Sequence, residues 1–296
     1  MSSMDTLLSV AGLSRRRLVN RLMEGLATLA AAAAVALLAF LVYSVAKRGG
    51  GSLSWDLLTK TPSTGGFLTS SNTGLANAIV GSLVLVGLAT AMALPTGILI
   101  AIYLTEYARP RVRAFFSLVL DVLAGIPAIV IGVFVFGLLV VGHAQSGWAA
   151  SFALACLMLP FVARSVQEVL LLVPNSTREA SHALGVPKWR TTLSVVLPQT
   201  VGGIITGATL AVARVAGETA PLLFTSSLLT SNDVSTNPSH ALFSIPLAIF
   251  EYSESPDPHD HELAWAIALV LMIFILVANL GARALAGRNR RSLTGR

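Results

Sequence analysis

The stretch LANAIVGSLVLVGLATAMALPTGILIAIYLT, residues 75–105, decides the fold class because it contains no charged side chain. About 20 consecutive apolar residues are enough for an α-helix to cross the hydrocarbon core of a bilayer. The apolar residues run continuously instead of alternating, and in hydrocarbon such a run satisfies its own backbone hydrogen bonds only as a helix. This stretch therefore predicts a transmembrane helix.

The rest of the chain follows the same pattern. Of its 296 residues, 54% are hydrophobic and only 11% are charged, whereas about a quarter of the residues in soluble domains are charged. The sequence predicts an all-α integral membrane protein with about six transmembrane helices. The further apolar segments lie at 25–46, 114–142, 147–163, 193–230 (with two charges inside it) and 263–282.

The first apolar segment needs to be distinguished from a signal peptide, because four arginines at positions 15–17 and 21 precede it. The stretch 22–46 carries only one charge, Glu24, and is longer than the apolar region of a signal peptide, which has about 7–15 residues. We therefore expect a first transmembrane helix that is retained. The single cysteine, Cys156, lies in an apolar run and gives no indication of the redox compartment.

The placement of the basic residues predicts the orientation of the helices. The N-terminus, the loops at 105–114 and 174–192, and the C-terminus hold 15 of the 20 Lys and Arg residues, against three on the alternate side. Because Lys and Arg accumulate in cytoplasmic loops, both termini are predicted to be cytoplasmic. The net charge of +6 then reflects orientation in the membrane and not nucleic-acid binding. The loop 231–262, without Lys or Arg, would be external, and the Gly- and Ser-rich segment 47–74 is expected to be irregular and flexible.

The loop at 174–192 is a candidate docking element for a cytoplasmic partner. Within it, REASHALG at residues 178–185 predicts a short helix that begins near its first residue and is capped by one of residues 175–177. Glu179 would lie in the first turn, where a negative charge is favoured, and Gly185 would end the helix. The residues alone leave open whether this segment docks a partner or is an ordinary connection.

Two charges lie within the fifth apolar segment. Arg214 is near the middle of the stretch 199–232, and a charge at mid-bilayer costs about 2.5–3.5 kcal/mol on insertion scales, which favours a functional role over a structural ion pair. Glu218, four residues further on, would share a helix face with Arg214 and pair with it. Arg164, near the end of the fourth segment, is expected to extend to the cytoplasmic surface. Further hydrogen-bond donors follow at Thr219, Thr225, Ser226 and Ser227.

Other chemistry has weaker support. The run DPHDHE at 257–262 could bind a divalent metal, although such a run is more typical of a solvated loop that enters a helix. The sequence contains no G-x-x-x-x-G-K-[ST], H-E-x-x-H or G-x-S-x-G motif. Transport driven by this chain would therefore take its energy from a partner or from an ion gradient.

The loop resembles the EAA loop of ABC-importer permeases. That family has Glu-Ala-Ala-x-x-x-Gly, nine residues, and then Ile-x-Leu-Pro, and this chain departs from the pattern only at Ser181 and Val195. The resemblance implies the architecture of a type I ABC-importer permease, in which the loop forms a coupling helix that docks into a cleft on an ATPase subunit. The coupling positions carried over from the family pattern are Glu179, Ala180 and Gly185.

A narrower resemblance is to the A-type permeases of the Pst phosphate-importer family. It rests on AVARVAGETAPLLFT at 211–225 and on motifs spread over 159–189. It implies a pathway for inorganic phosphate with Arg164, Arg214 and Glu218 at the charged transmembrane positions. A guanidinium can offer paired donors to phosphate oxygens, and Glu218 would hold Arg214 in place and keep it from binding the anion too tightly.

The same resemblance implies the organisation of the assembly. A second permease subunit would form a heterodimer with this chain in the bacterial plasma membrane, with two cytoplasmic ATPase subunits and an external phosphate-binding protein. ATP and Mg would be bound by the ATPase, so this chain would be a transport subunit without a cofactor and not an enzyme. The resemblance divides the chain into 1–74, 75–285 and a basic tail at 286–296. The alternatives are a permease for sulfate or molybdate, a gradient-driven carrier, and an intramembrane enzyme or sensor.

Overall fold

Residues 3–61, 74–226 and 233–294 are described by a computed structural model. Every regular element in these ranges is a helix, which confirms the predicted all-α class. Among the described residues, three five-residue π-helical segments adjoin the helices: Tyr103–Tyr107 after α3, Phe136–Val140 after α5, and Thr192–Val196 between α8 and α9. The helices are α1 Ser3–Gly49, α2 Trp55–Thr59, α3 Ala76–Ile102, α4 Pro110–Gly125, α5 Ala128–Val135, α6 Gly147–Leu171, α7 Asn175–Ala183, α8 Lys188–Thr191, α9 Leu197–Ala216, α10 Leu222–Thr225, α11 Ile245–Glu254 and α12 Pro258–Thr294.

Five stretches of helix are long and apolar enough to cross a membrane. A sixth crossing is available if α4 and α5 together make one span, which confirms the prediction of about six. The five stretches are Arg16–Gly49, Ala76–Tyr107, Gly147–Leu171, Lys188–Ala216 and Pro258–Gly281.

The third apolar segment, predicted as one helix over 114–142, is instead two helices that meet at 95°. The break lies at Ile126–Pro127, where Ile126 has an extended backbone with φ −69° and ψ 129°. Proline carries no N–H and disfavours helical geometry in the residue before it. Gly125, just before the break, has low helix propensity. The residues Gly125 and Pro127 therefore explain why the segment breaks into two helices.

Helix α6 is the centre of the bundle. In its most apolar stretch 67% of the residues are buried, whereas none are buried in the corresponding stretch of α1. Small residues let its neighbours approach closely: a Cβ added at Gly97 of α3 would lie 2.8 Å from Cγ1 of Val162. In α9, Gly203 and Gly207 form a GxxxG spacing, and a Cβ at Gly207 would collide with Oγ of Ser165 in α6.

The segments predicted to be irregular and external are partly built into the fold. Helix α1 continues to Gly49, which packs against the backbone of Trp265 in α12, and α2 buries Leu57. Residues 62–73 lie outside the described residues. In the second segment, α11 packs against α3 and α12, and the N–H of Ile245 donates to Oγ of Ser82 at 2.8 Å.

The fifth apolar segment also ends earlier than predicted. Helix α9 stops at Ala216, Gly217 follows as its C-cap, and Pro221 precedes the short helix α10. Glycine and proline are common after helix C-termini, because neither favours continuation of the helix. Arg214 therefore lies in the last turn of α9 and not near the middle of a span, and Glu218 lies beyond the helix instead of on its face.

Candidate functional site

Arg164 projects from α6 towards α4. Its Nη2 donates to the backbone oxygen of Ser117 at 2.7 Å and forms an ion pair with Oδ1 of Asp121. Its Nη1 donates to Oε1 of Gln167 at 3.2 Å. Acceptors on α4 and α6 thus hold the guanidinium against the bundle, and the extension of Arg164 to the cytoplasmic surface stays a prediction.

Asp121 is the residue that sequence reasoning missed. The available signal was a single carboxylate in the otherwise apolar segment 114–142, and no sequence pattern relates it to Arg164, 43 positions away. The ion pair lies at the edge of the bundle, since 63% of the Asp121 side chain and 29% of the Arg164 side chain are exposed.

The contacts of Arg164 leave one of its donors unused. Its Nε is buried and has no hydrogen-bond acceptor among the described residues. A buried donor without a partner costs about 1–3 kcal/mol. The guanidinium is therefore held by one charged acceptor and two neutral ones, and it is not saturated.

Arg214 lies close to α6 as well. Its guanidinium stacks 4.1 Å from the centre of the Phe161 ring. Its Nε lies 4.0 Å from Oε1 of Glu218, and more than half of the Arg214 side chain is exposed. At this distance and exposure the ion pair contributes little to stability, so the cation–π contact with Phe161 is the closer interaction.

The two predicted arginines converge on one face of α6. Phe161 and Arg164 are three positions apart, so they share a helix face and are separated by about 4.5 Å along its axis. Arg164 is part of this face, and Arg214 reaches it through the ring of Phe161. The two guanidinium groups therefore lie beside the same face of α6, with Asp121 and Glu218 as their carboxylate partners.

The hydroxyl groups near Arg214 are used within the fold. The Thr225 hydroxyl donates to the backbone oxygen of Pro221 at 2.8 Å, and the Ser226 hydroxyl donates to that of Leu242. Both side chains are fully buried. The expectation that they add donors to the site is wrong for these two residues, and Ser227 lies outside the described residues.

The predicted short helix of the loop is present as α7. It begins at Asn175, after Pro174, without a side-chain cap, so Glu179 is its fifth residue and not part of its first turn. It ends as predicted. Gly185 has φ +75°, in the left-handed region that glycine adopts most easily, and its N–H donates to the backbone oxygen of His182 at 2.9 Å.

A buried ion pair anchors α7 to the end of α3. Nη2 of Arg178 lies 2.9 Å from Oε1 of Glu106, with 16% and 6% of the two side chains exposed. Arg178 also donates to the backbone oxygens of Val173 at 2.6 Å and Leu170 at 2.9 Å. Glu106 belongs to the π-helical segment after α3, and such segments are frequent at functional sites.

The side of α7 that faces away from the Arg178–Glu106 ion pair is exposed. Glu179, Ala180 and Gly185 are exposed, and so are two large apolar side chains nearby, Leu184 (83%) and Trp189 (59%). We refer to these five residues as the loop face. Large apolar side chains grouped beside a conformationally fixed helix indicate a surface that a protein partner covers.

The acidic run at 257–262 forms the start of α12. Oδ1 of Asp257 accepts the N–H of His259 at 2.9 Å, and Oδ2 of Asp260 accepts the hydroxyl of Ser255 at 2.5 Å. Among the described residues, no three His, Cys, Asp or Glu side chains are grouped closely enough to hold a metal ion. The run caps a helix.

Comparison with known proteins gives three concordant results. The sequence profile of the family described as "Binding-protein-dependent transport system inner membrane component" matches residues 93–291. The phosphate transport system permease protein PstA of Haemophilus influenzae is 38% identical over 272 residues, which are 90% of this chain and 94% of that protein. PstA 1 of Mycobacterium tuberculosis is 41% identical over 226 residues, 74% of this chain and 72% of that protein.

Solved structures of ABC transporters share the fold. A methionine ABC transporter in an inward-facing conformation superposes with a TM-score of 0.57 at 19% identity, covering 73% of this chain and 94% of that one. A bacterial alginate ABC transporter with its periplasmic protein superposes with a TM-score of 0.56 at 15% identity, covering 90% of this chain and 94% of that one. At these identities the comparison concerns the fold alone.

Proposed function

Because the chain belongs to the family of inner-membrane components of binding-protein-dependent transport systems, we propose that it is the permease subunit of an ATP-driven importer of inorganic phosphate. It is a multi-pass membrane protein with five or six apolar spans. The observation that carries the proposal is the convergence of two arginines on one face of α6 in a chain 38% identical to a phosphate transport permease over 90% of its length.

The two arginines suit phosphate as the transported ion. Phosphate carries one to two negative charges, and guanidinium groups recognise such oxyanions through several N–H donors at once. Arg214 is held by a ring and a distant carboxylate, not by a short ion pair. Arg164 is paired with Asp121, whereas Arg214 has no short ion pair and retains attraction for an anion.

The loop face is the proposed docking surface for the ATPase. Glu179, Ala180 and Gly185 are its coupling positions, and the Arg178–Glu106 pair fixes it to α3. In this proposal two ATPase subunits bind ATP and Mg, and their closure draws the coupling helices of this chain and a second permease subunit together. An external phosphate-binding protein delivers phosphate, which is released to the cytoplasm after hydrolysis.

Uptake of radiolabelled phosphate at low external concentration tests the proposal. The host cells lack every other phosphate importer, and they express the chain, no chain, or the Arg214→Gln variant. Arg111→Gln is the matched control, because this exposed arginine lies at the start of α4 and outside the proposed pathway. We expect uptake only with the unchanged chain and the control, while sulfate uptake is the same in all cells.

The same cells separate the alternatives. Phosphate uptake that does not depend on the chain contradicts the phosphate assignment, and chain-dependent uptake of sulfate or molybdate then identifies another oxyanion. A gradient-driven carrier predicts uptake that persists with an ATPase subunit unable to hydrolyse ATP. The proposed importer predicts that this uptake stops.

A further inference from the structure

The bent pair α4–α5 contains one acidic residue, Asp121, in the 31 positions from 110 to 140. An ionisable side chain within apolar spans is costly and marks a functional position by default. Its partner is Arg164, one of the two arginines of the proposed pathway. Any role of Asp121 in transport therefore acts through that guanidinium, so this inference rests on the proposed function.

The contacts of Arg164 single out Asp121 as the group that phosphate would replace. Of its three acceptors, the Ser117 backbone oxygen and the Gln167 amide are neutral, and only Asp121 is charged. Asp121 is also largely exposed, whereas Gln167 is buried. An approaching anion therefore competes with the one acceptor that has the same charge and the most open position.

Helix α4 is built so that it can move relative to α6. Only Leu120 of its residues is buried, and the 95° break at Ile126–Pro127 separates it from α5. Hinges are commonly a few residues at the ends of such elements. A displacement of α4 would separate Asp121 from Arg164 without opening the core between α3 and α6.

A continuous set of contacts joins α4 to the loop face. Arg113 of α4 donates through Nε to the backbone oxygen of Leu104 at 2.6 Å, and through Nη2 to that of Thr105. The next residue, Glu106, holds Arg178 of α7. These contacts connect α7 to the start of α4, two turns before Asp121.

We propose that Asp121 is a displaceable counter-ion of Arg164 and that the coupling loop controls its position. With Asp121 in place the guanidinium is neutralised, and phosphate reaches Arg164 only when α4 moves away. When α4 returns, the carboxylate competes with phosphate for the same donors and promotes its release. Asp121 is a positioning residue that keeps the affinity of the pathway low enough for turnover.

The first test is equilibrium binding of radiolabelled inorganic phosphate to the purified complex of both permease subunits and the ATPase. Asp121→Asn keeps the size of the side chain and removes the competing charge. We expect it to bind phosphate roughly twofold to fivefold more tightly, the range for the loss of one partly exposed charge pair. Asp121→Glu retains a carboxylate and should bind as the unchanged complex does.

Two control variants isolate the counter-ion effect. Glu168→Gln removes an exposed carboxylate one turn further along α6 that takes no part in the Arg164 ion pair, and should leave binding unchanged. In the double variant Asp121→Asn with Arg164→Gln the gain in affinity should disappear. A merely structural role of Asp121 would lower affinity or assembly and would not produce tighter binding.

Measurements of phosphate uptake distinguish a site that holds phosphate too tightly from a site that has been lost. The Asp121→Asn importer should show a lower maximal rate of phosphate uptake, while the external concentration for half-maximal uptake does not rise. Unchanged binding and uptake in Asp121→Asn overturn the inference, and so does weaker binding in a complex that assembles normally. If Asp121→Asn fails to assemble, Asp121→Ser replaces it in both assays with the same expected direction.

The two proposals fail in different ways. If cells with the unchanged chain do not import phosphate, the proposed function is wrong and the inference falls with it. If they do import phosphate and Asp121→Asn matches the unchanged chain in affinity and rate, only the counter-ion role is wrong.

Discussion

The anchor between α7 and α3 yields a prediction whose magnitude follows from burial. Glu106→Gln preserves the shape of the side chain but removes the charge that faces Arg178. Loss of one partner from a buried ion pair costs about 3–5 kcal/mol. Here Arg178 keeps the backbone oxygens of Val173 and Leu170, and the new amide oxygen can still accept a hydrogen bond. We therefore expect a loss of about 2–3 kcal/mol.

Thermal unfolding of the purified assembly and its coupling ratio measure the two consequences. A loss of this size should lower the melting temperature by roughly 5 °C. Because the loop face would no longer be fixed to α3, phosphate imported per ATP hydrolysed should fall. ATP hydrolysis itself should continue, since the ATPase is unaltered.

The matched control for Glu106→Gln is Asp56→Asn. Asp56 also pairs with a basic residue, Lys60, but 67% and 51% of these side chains are exposed. Such a pair contributes at most about 1 kcal/mol, so this variant should melt and couple as the unchanged protein does. Equal effects of the two variants, or an unaltered coupling ratio in Glu106→Gln, would refute the reasoning.

Two further predictions concern packing and pH. Gly207→Ala should destabilise the protein by about 1–3 kcal/mol because the added Cβ collides with Ser165, whereas Gly87→Ala, where no atom lies within 4 Å, should not lower the melting temperature. Burial, reinforced by Glu251 and Asp260, raises the pKa of Tyr252 to about 12. The folded state thus holds this proton more tightly than the unfolded state, so the resulting stability is complete below pH 10 and lost between pH 10 and 12. Melting temperatures should fall less over that interval in Tyr252→Phe, and an equal fall contradicts the assignment.

The sequence predicts the helices well because the bilayer allows few alternatives for long apolar stretches. It predicts their breaks less well. Pro95 and Pro160 lie inside α3 and α6, whereas Pro127 and Pro221 stand at breaks. A proline weakens a helix wherever it lies, and packing against neighbours decides whether the helix continues. α3 and α6 are packed against each other, while α4 buries a single residue.

In the candidate site the two arginines and the partner Glu218 were predictable, and the partners Asp121 and Phe161 were not. Arg164 and Arg214 are conspicuous because they are charges in or beside apolar segments. Their contacts with Asp121 and Phe161 are tertiary, and single-sequence spacing carries no information about them. The pairing of Arg214 with Glu218 was predicted from their spacing, although the two residues do not share one continuous helix, because α9 ends between them. Gly185 was predictable because a local backbone requirement selects glycine.

The number of membrane crossings made by α4 and α5 determines whether the fold is consistent with the distribution of the basic residues. With five crossings the two termini would lie on opposite sides of the membrane, and with six they would lie on the same side. The 15 basic residues in the termini and in the loops at 105–114 and 174–192 require the same side if they are cytoplasmic. That arrangement holds only if α4 and α5 together cross the bilayer, which puts the break at Ile126–Pro127 within the membrane. Asp121 precedes that break by five residues, and Arg164 provides the partner that a carboxylate in an apolar segment needs.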